Sequence, residues 1–71
     1  MVDVAAEVAA LLVPFTEVER PDQPLQLESI EIAMLIESIE DTFDLVLRAA
    51  DYDANAFTRV DLLVAWVRAL L

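Results

Sequence analysis

Apolar residues return at helical spacing in three separate stretches of this chain, and those stretches set the expected architecture. In residues 1–13, Val4, Val8, Leu11 and Leu12 share one face that Phe15 continues, and Asp3 stands where an N-cap belongs. In residues 29–44, Ile32, Leu35, Ile36, Ile39 and Phe43 recur at i, i+3, i+4, i+7 and i+11, one continuous inner stripe. At about 100° per residue, the face opposite that stripe carries Ile30, Met34, Glu37 and Asp41, flanked by Glu31, Ser38 and Glu40. In residues 58–71 the stripe is Val60, Leu63, Val64, Val67 and Leu71, with Trp66 at its border. Thr58 with Asp61 three residues on resembles a capping box with Asp in the place of Glu, and Arg68 lies in the closing turns, where the helix dipole favours a cation.

The segments between these stretches break the period. Residues 14–24 hold Pro14, Pro21 and Pro24, which exclude a helix interior or a central strand. Phe15 and Val18 are expected to pin this loop to the core, and Leu25 and Leu27 to turn inward before the second helix. Residues 45–57 read as a connection with one short helical turn, permitted by Ala49, Ala50, Ala54 and Ala56, and with Leu45 and Leu47 reaching the core. The expected fold is all-α: a single domain over 1–71, built as a small three- to four-helix bundle with a long loop after the first helix.

Composition sharpens this picture. At 71 residues the chain is near the lower limit for a self-sufficient core, yet 59% of it is apolar, enough to fill one without staples. Ala, Val, Leu and Ile carry that load, and aromatics are only 7%. The chain has no Cys, so neither a disulfide nor a thiolate site can form. It has no His, the commonest general base and metal ligand, and no Gly, so a glycine-rich phosphate loop is excluded. An enzyme is not expected.

Charge narrows the partners. Fourteen acids face four arginines, for a net charge of −10. That field repels nucleic acid and anionic membranes and attracts proteins with basic patches. Residues 4–13 are apolar but interrupted by Glu7, and they are too short to span a bilayer. The N-terminus carries Asp3 and no basic residue, unlike a secretory signal, so a cytoplasmic setting is the expectation.

Little in the chain can do chemistry alone. Ser29 opens the second helix behind the acidic Glu28. With no His or Lys in the chain to deprotonate it, and a carboxylate a weak base for a hydroxyl, Ser29 is not a self-activated nucleophile. Two readings stay open: an N-cap, for which Ser is favoured, or a hydroxyl modified by another enzyme that brings the base and metal. The run Asp51-Tyr52-Asp53-Ala54-Asn55 matches the first ligand positions of an EF-hand loop. Ala56 replaces the Gly of the sharp turn and Leu62 the bidentate Glu, so no metal site is assigned there.

The segment 25–44, Leu-Gln-Leu-Glu-Ser-Ile-Glu-Ile-Ala-Met-Leu-Ile-Glu-Ser-Ile-Glu-Asp-Thr-Phe-Asp, resembles the signature of the acyl carrier protein family. That family shows Leu-Gly-x-Asp-Ser-Leu, then an acidic helix ending in Glu-Glu-x-Phe-Asp. Ser29 falls on the serine that carries 4′-phosphopantetheine and Ile30 on the following leucine. Glu31, Leu35, Ile39, Glu40, Asp41, Phe43 and Asp44 fall on matching positions, and Phe57-Thr58-Arg59-Val60 resembles the start of the family's last helix. The likeness extends to helix count, order and length along the whole chain. Gln26 replaces the usual glycine, Glu28 the usual aspartate, and Met34 an acid common in carriers. The connection before the last helix is about two residues longer than usual.

The resemblance implies a discrete acyl carrier of fatty-acid or polyketide biosynthesis. Ser29 would accept the arm from coenzyme A, and the arm's thiol would hold acyl groups as thioesters. Glu28, Ile30, Glu31, Met34, Glu37, Glu40, Asp41 and Asp44 would form the docking face. The implied partners are a phosphopantetheinyl transferase, an acyl-loading ligase or transferase, and ketosynthase-type enzymes with basic docking patches, met by a monomer. The Gly-Gly-His-Ser or Gly-Gly-Asp-Ser of peptidyl carriers is absent. The alternatives are an aminoacyl or peptidyl carrier, or an acidic protein-interaction module that carries no arm.

The charge makes one prediction without any of this. Salt or millimolar magnesium screens self-repulsion and raises the melting temperature; a melting temperature that stays fixed or falls with salt contradicts it.

Overall fold

The computed structural model describes residues 2–71. The start of the first expected helix at Met1 lies outside the described residues. Helix α1 spans Val4–Leu12. Asp3 caps it as expected: its Oδ1 accepts the Ala6 amide at 3.2 Å. Val4, Val8 and Leu12 are buried, and Leu11, Phe15 and Val18 pack against the same core. The expected reach of the loop to the core is therefore observed.

Helix α2 spans Ser29–Phe43 and α3 spans Val60–Leu70. Helix α1 packs against both, so the protein is a small all-α bundle. Leu35 and Ile39 of α2 and Leu63 and Val67 of α3 are fully buried, joined by Val8 and Leu12. Ile32, Ile36 and Phe43 pack at the margin of that core. The expected stripe of α3 holds at Val60, Leu63, Val64 and Val67 but not at Leu71, which is 59% exposed. The helix ends at Leu70, so Leu71 lies past the last position that helical spacing can turn inward.

The loop before α2 is held without glycine. Pro24 and Arg59 form an isolated antiparallel bridge. The Leu25 amide donates to the Thr58 carbonyl at 2.9 Å and the Val60 amide to the Gln23 carbonyl at 3.0 Å. The hydrogen bonds come from the neighbours of the bridging pair, so Pro24's missing N–H leaves no gap. The side chain of Gln23 braces the turn, accepting from the Glu19 amide at 2.7 Å and donating to the Glu17 carbonyl at 2.9 Å.

Two expectations are corrected after α2. The connection contains two 3₁₀ turns, Ala49–Asp51 and Ala54–Thr58, where one helical turn was expected. Each is braced by an acid. The Asp51 carboxylate accepts the Arg48 amide at 3.0 Å, and Asp53 accepts the Asn55 amide at 3.0 Å. Those local bonds occupy the carboxylates of the EF-hand-like run. The capping box at Thr58 and Asp61 is also absent. Thr58 closes the second 3₁₀ turn, its hydroxyl donating to the Asn55 carbonyl at 2.7 Å, and Arg59 becomes the N-cap of α3. Asp61 instead pairs with the Arg59 guanidinium, Nη2 to Oδ2 at 3.0 Å. That hydrogen bond holds the Asp61 carboxyl below its ordinary range.

Trp66 is half-buried and packs inside. Its Nε1–H donates to the Asp51 carbonyl at 3.0 Å, and its ring leans on Phe57 with centroids 5.2 Å apart. Phe57 in turn stacks on Tyr52 at 5.7 Å. This aromatic row fastens the connection onto α3. No described helix is long and apolar enough to cross a membrane.

Leu63 is fully buried among these elements, and its truncation leaves a cavity in a core of few residues. Leu63→Ala is expected to lower unfolding stability by about 2–5 kcal/mol, read from urea midpoints at unchanged slope.

Candidate functional site

The site residues gather on the outward side of α2, and its start decides the status of Ser29. The N-cap of α2 is Glu28, in extended backbone (φ −77°, ψ 160°). The Glu28 amide donates to Glu31 Oε1 at 2.9 Å. Ser29 is therefore the first helical residue, and the capping alternative for its side chain is overturned. A Glu at the third helical position selects the residue three before it as cap, and here that residue is Glu28. The Ser29 side chain is exposed and its hydroxyl makes no hydrogen bond among the described residues. As the first two helical residues, Ser29 and Ile30 present amides with no helical acceptor, at the positive end of the helix dipole.

Down the helix, Ile30, Met34, Glu37 and Asp41 form one exposed row. Ile30 is 64% and Met34 52% accessible, unusual for large apolar side chains in a chain with a well-filled core. Glu31, Ser38 and Glu40 flank this row, half-buried, as the spacing predicts. A shallow groove runs along the face, lined by Met34, Glu37, Ser38, Glu40, Asp41 and Leu45.

Several of the acids serve the fold as well. Glu40 organises the end of α2: its carbonyl accepts the amides of Asp44 and Leu45, the latter at 2.9 Å, and its Oε2 accepts the Leu47 amide at 2.9 Å. Asp44 is the C-cap, in the left-handed region at φ 54° and ψ 51°. Glycine usually fills that position, and Asp is among the few other residues that enter it readily. The placement of Asp44 against the dipole thus has a local cause in a chain without glycine. Glu31 is tied to the Glu28 amide. Glu37 and Asp41 make no such contacts among the described residues and remain open to solvent.

Two features of this side escaped the sequence reading. Val46 is 86% exposed between the half-buried Leu45 and Leu47, an apolar side chain left in solvent just after α2. The in–out–in alternation of an extended segment is the signal that would have found it. Beside α2 lies a second groove of about 350 Å³, lined by Ile36, Leu47, Arg48, Ala49, Tyr52 and Trp66. Its walls come from α2, the connection after it and α3, three segments that no local period connects.

Comparison with protein-family models, with curated proteins and with solved structures found no match to this chain.

Glu40 links α2 to the following loop through one side-chain bond. Glu40→Ala is expected to abolish hydrogen-exchange protection at the Leu47 amide while the Leu35 and Ile39 amides keep theirs. Equal loss at all three positions would mean that Glu40 supports the whole bundle.

Proposed function

We propose that this chain is an acyl carrier: Ser29 receives 4′-phosphopantetheine from coenzyme A, and the arm's thiol carries acyl groups as thioesters between enzymes of fatty-acid or polyketide type. The observation that carries this reading is the free hydroxyl of Ser29 at the head of α2. Serine at a helix start is ordinarily a cap, and here Glu28 and Glu31 have taken that task, which leaves the Ser29 hydroxyl exposed and without a bond.

The surroundings support it. The transfer forms a bond from Ser29 Oγ to phosphorus and breaks the pyrophosphate of coenzyme A, releasing adenosine 3′,5′-bisphosphate. The hydroxyl proton goes to a base on the transferase, since this chain has no His or Lys to accept it. The phosphodiester so formed is anionic, and the free amides of Ser29 and Ile30 at the start of α2 favour an anion there. The carrier itself makes and breaks no bond and is not an enzyme in this reading.

The exposed row beside Ser29 supplies the docking face. Glu37 and Asp41 are free to meet basic patches on a transferase, a loading ligase or transferase, or a ketosynthase-type partner. Ile30, Met34 and Val46 add short-range apolar contact. Such charge pairs speed encounter and set orientation more than they add affinity, which suits a carrier that must leave each partner.

Intact mass after incubation with coenzyme A and a broad-specificity phosphopantetheinyl transferase tests the proposal. The wild type is expected to gain one phosphopantetheine and Ser29→Ala none, with circular dichroism unchanged. No gain by the wild type with several transferases would sink the carrier reading and leave the acidic face as an interaction surface alone.

A further inference from the structure

The groove beside α2 differs from the rest of the surface in its charge. The outward groove of α2 carries Glu37, Glu40 and Asp41; one between α1 and α3 carries Glu19 and Asp61 beside Arg20 and Arg68; one lined by Val2, Phe43 and Leu71 carries Glu7 and Asp44. The groove of Ile36, Leu47, Arg48, Ala49, Tyr52 and Trp66 has no acid in its lining and one guanidinium. In a chain of net charge −10 this is an unusual place.

Its polar groups are also uncommitted. Arg20 pairs with Asp22 at 3.4 Å and Arg59 with Asp61, whereas Arg48 and Arg68 make no ion pair among the described residues; of these two, only Arg48 lines a groove without an acid. Asp51, three residues on, turns its carboxylate to the backbone amide of Arg48. The Tyr52 side chain is 46% exposed, and its hydroxyl makes no hydrogen bond among the described residues. Between these two donors the groove is apolar: Ile36, Leu47 and Ala49 on its walls and the half-buried Trp66 ring, with the fully packed Phe57 behind it.

The groove is also in line with Ser29. Ile36 is seven residues further along α2, which returns to within about 20° of the Ser29 azimuth and about 10 Å along the axis. The groove therefore lies within the span of an arm attached at Ser29. Resting on the carrier reading, we propose that this groove receives the acyl group and that Arg48, with Tyr52, makes it selective for short acyl groups that end in a second carboxylate. A guanidinium fork matches a carboxylate in two parallel hydrogen bonds, and the apolar walls leave room for a short methylene spacer. A neutral alkyl chain gains nothing from Arg48, and the aromatic row of Tyr52, Phe57 and Trp66 blocks its way further into the bundle.

The test delivers the cargo already on the arm. A permissive transferase is supplied with succinyl-coenzyme A or with butyryl-coenzyme A, and intact mass records the loaded Ser29. The same bonds change as in the transfer above, and the thioester is untouched. ¹H–¹⁵N spectra then follow the Trp66 indole and the Arg48 Nε–H. The succinyl arm is expected to shift both resonances well beyond the shift produced by the butyryl arm. Arg48→Gln and, in part, Tyr52→Phe are expected to bring the succinyl response of Trp66 down to the butyryl level. Both variants keep the backbone bonds of the first 3₁₀ turn and remove no core side chain. Equal shifts from the two cargoes, or a succinyl-specific Trp66 shift that survives Arg48→Gln, overturn the selectivity while the carrier reading stands. No mass gain on the wild type removes the carrier reading, and this inference falls with it.

Discussion

The rotation of α2 about its own axis governs everything on the proposed working face. Leu35 and Ile39 are fully buried against α1 and α3, and they lie four residues apart on one stripe. Exposing either would cost on the order of 1.5–3 kcal/mol, while a small change of angle would save nothing elsewhere. That burial holds α2 at one angle, and at that angle Ile30, Met34, Glu37 and Asp41 must point outward. The outward row is thus a consequence of core packing, although its composition is not. The core requires only that these positions be tolerated in solvent, and Ile30 and Met34 are poor choices for that alone.

The ends of α2 follow a second constraint, the absence of glycine. A chain that must turn without a flexible residue uses acids whose oxygens satisfy backbone amides. Glu31 closes the start of α2, Glu40 ties the loop after it, Asp44 takes the left-handed cap, Asp51 reaches back to the start of the first 3₁₀ turn, and Asp53 caps the second. Part of the high acid content is therefore explained by local backbone chemistry. Glu37 and Asp41 do none of this and stay exposed on the outward row of α2.

The stripes of all three helices were legible in the sequence because a period of 3.6 is read from spacing alone. Val8, Leu12, Leu35, Ile39, Leu63 and Val67 all emerge buried. Helix ends were less legible, because they depend on competition between adjacent caps. Ser29 is the better intrinsic cap, but Glu31 reaches back to the Glu28 amide and moves the start by one residue. Thr58 looks like the cap of α3, but the 3₁₀ turn ahead of it claims its hydroxyl. Leu71 fits the stripe in spacing, yet the helix stops before it. Of the candidate site, the acidic row was legible and the groove at Arg48 was not. The row lies on one helix, whereas the groove joins positions 36, 47–49, 52 and 66.

In the proposed reading, the two faces around Ser29 divide their labour by charge. A surface that steers partners needs acids that stay exposed and mobile, whereas a cleft that holds a ligand needs walls that are fixed. Glu37 and Asp41 meet the first condition. The second is met by Trp66, whose ring is held at one edge by the Asp51 carbonyl and at its side by Phe57. An acid in the same cleft would have neutralised Arg48, and its absence from the lining leaves the exposed guanidinium unpaired. A carboxylate entering the cleft would meet that charge with no acid in the lining to oppose it. In the proposed reading, the acidity that would draw partners to one face would also sharpen discrimination at the other, because every other groove described carries acids in its lining.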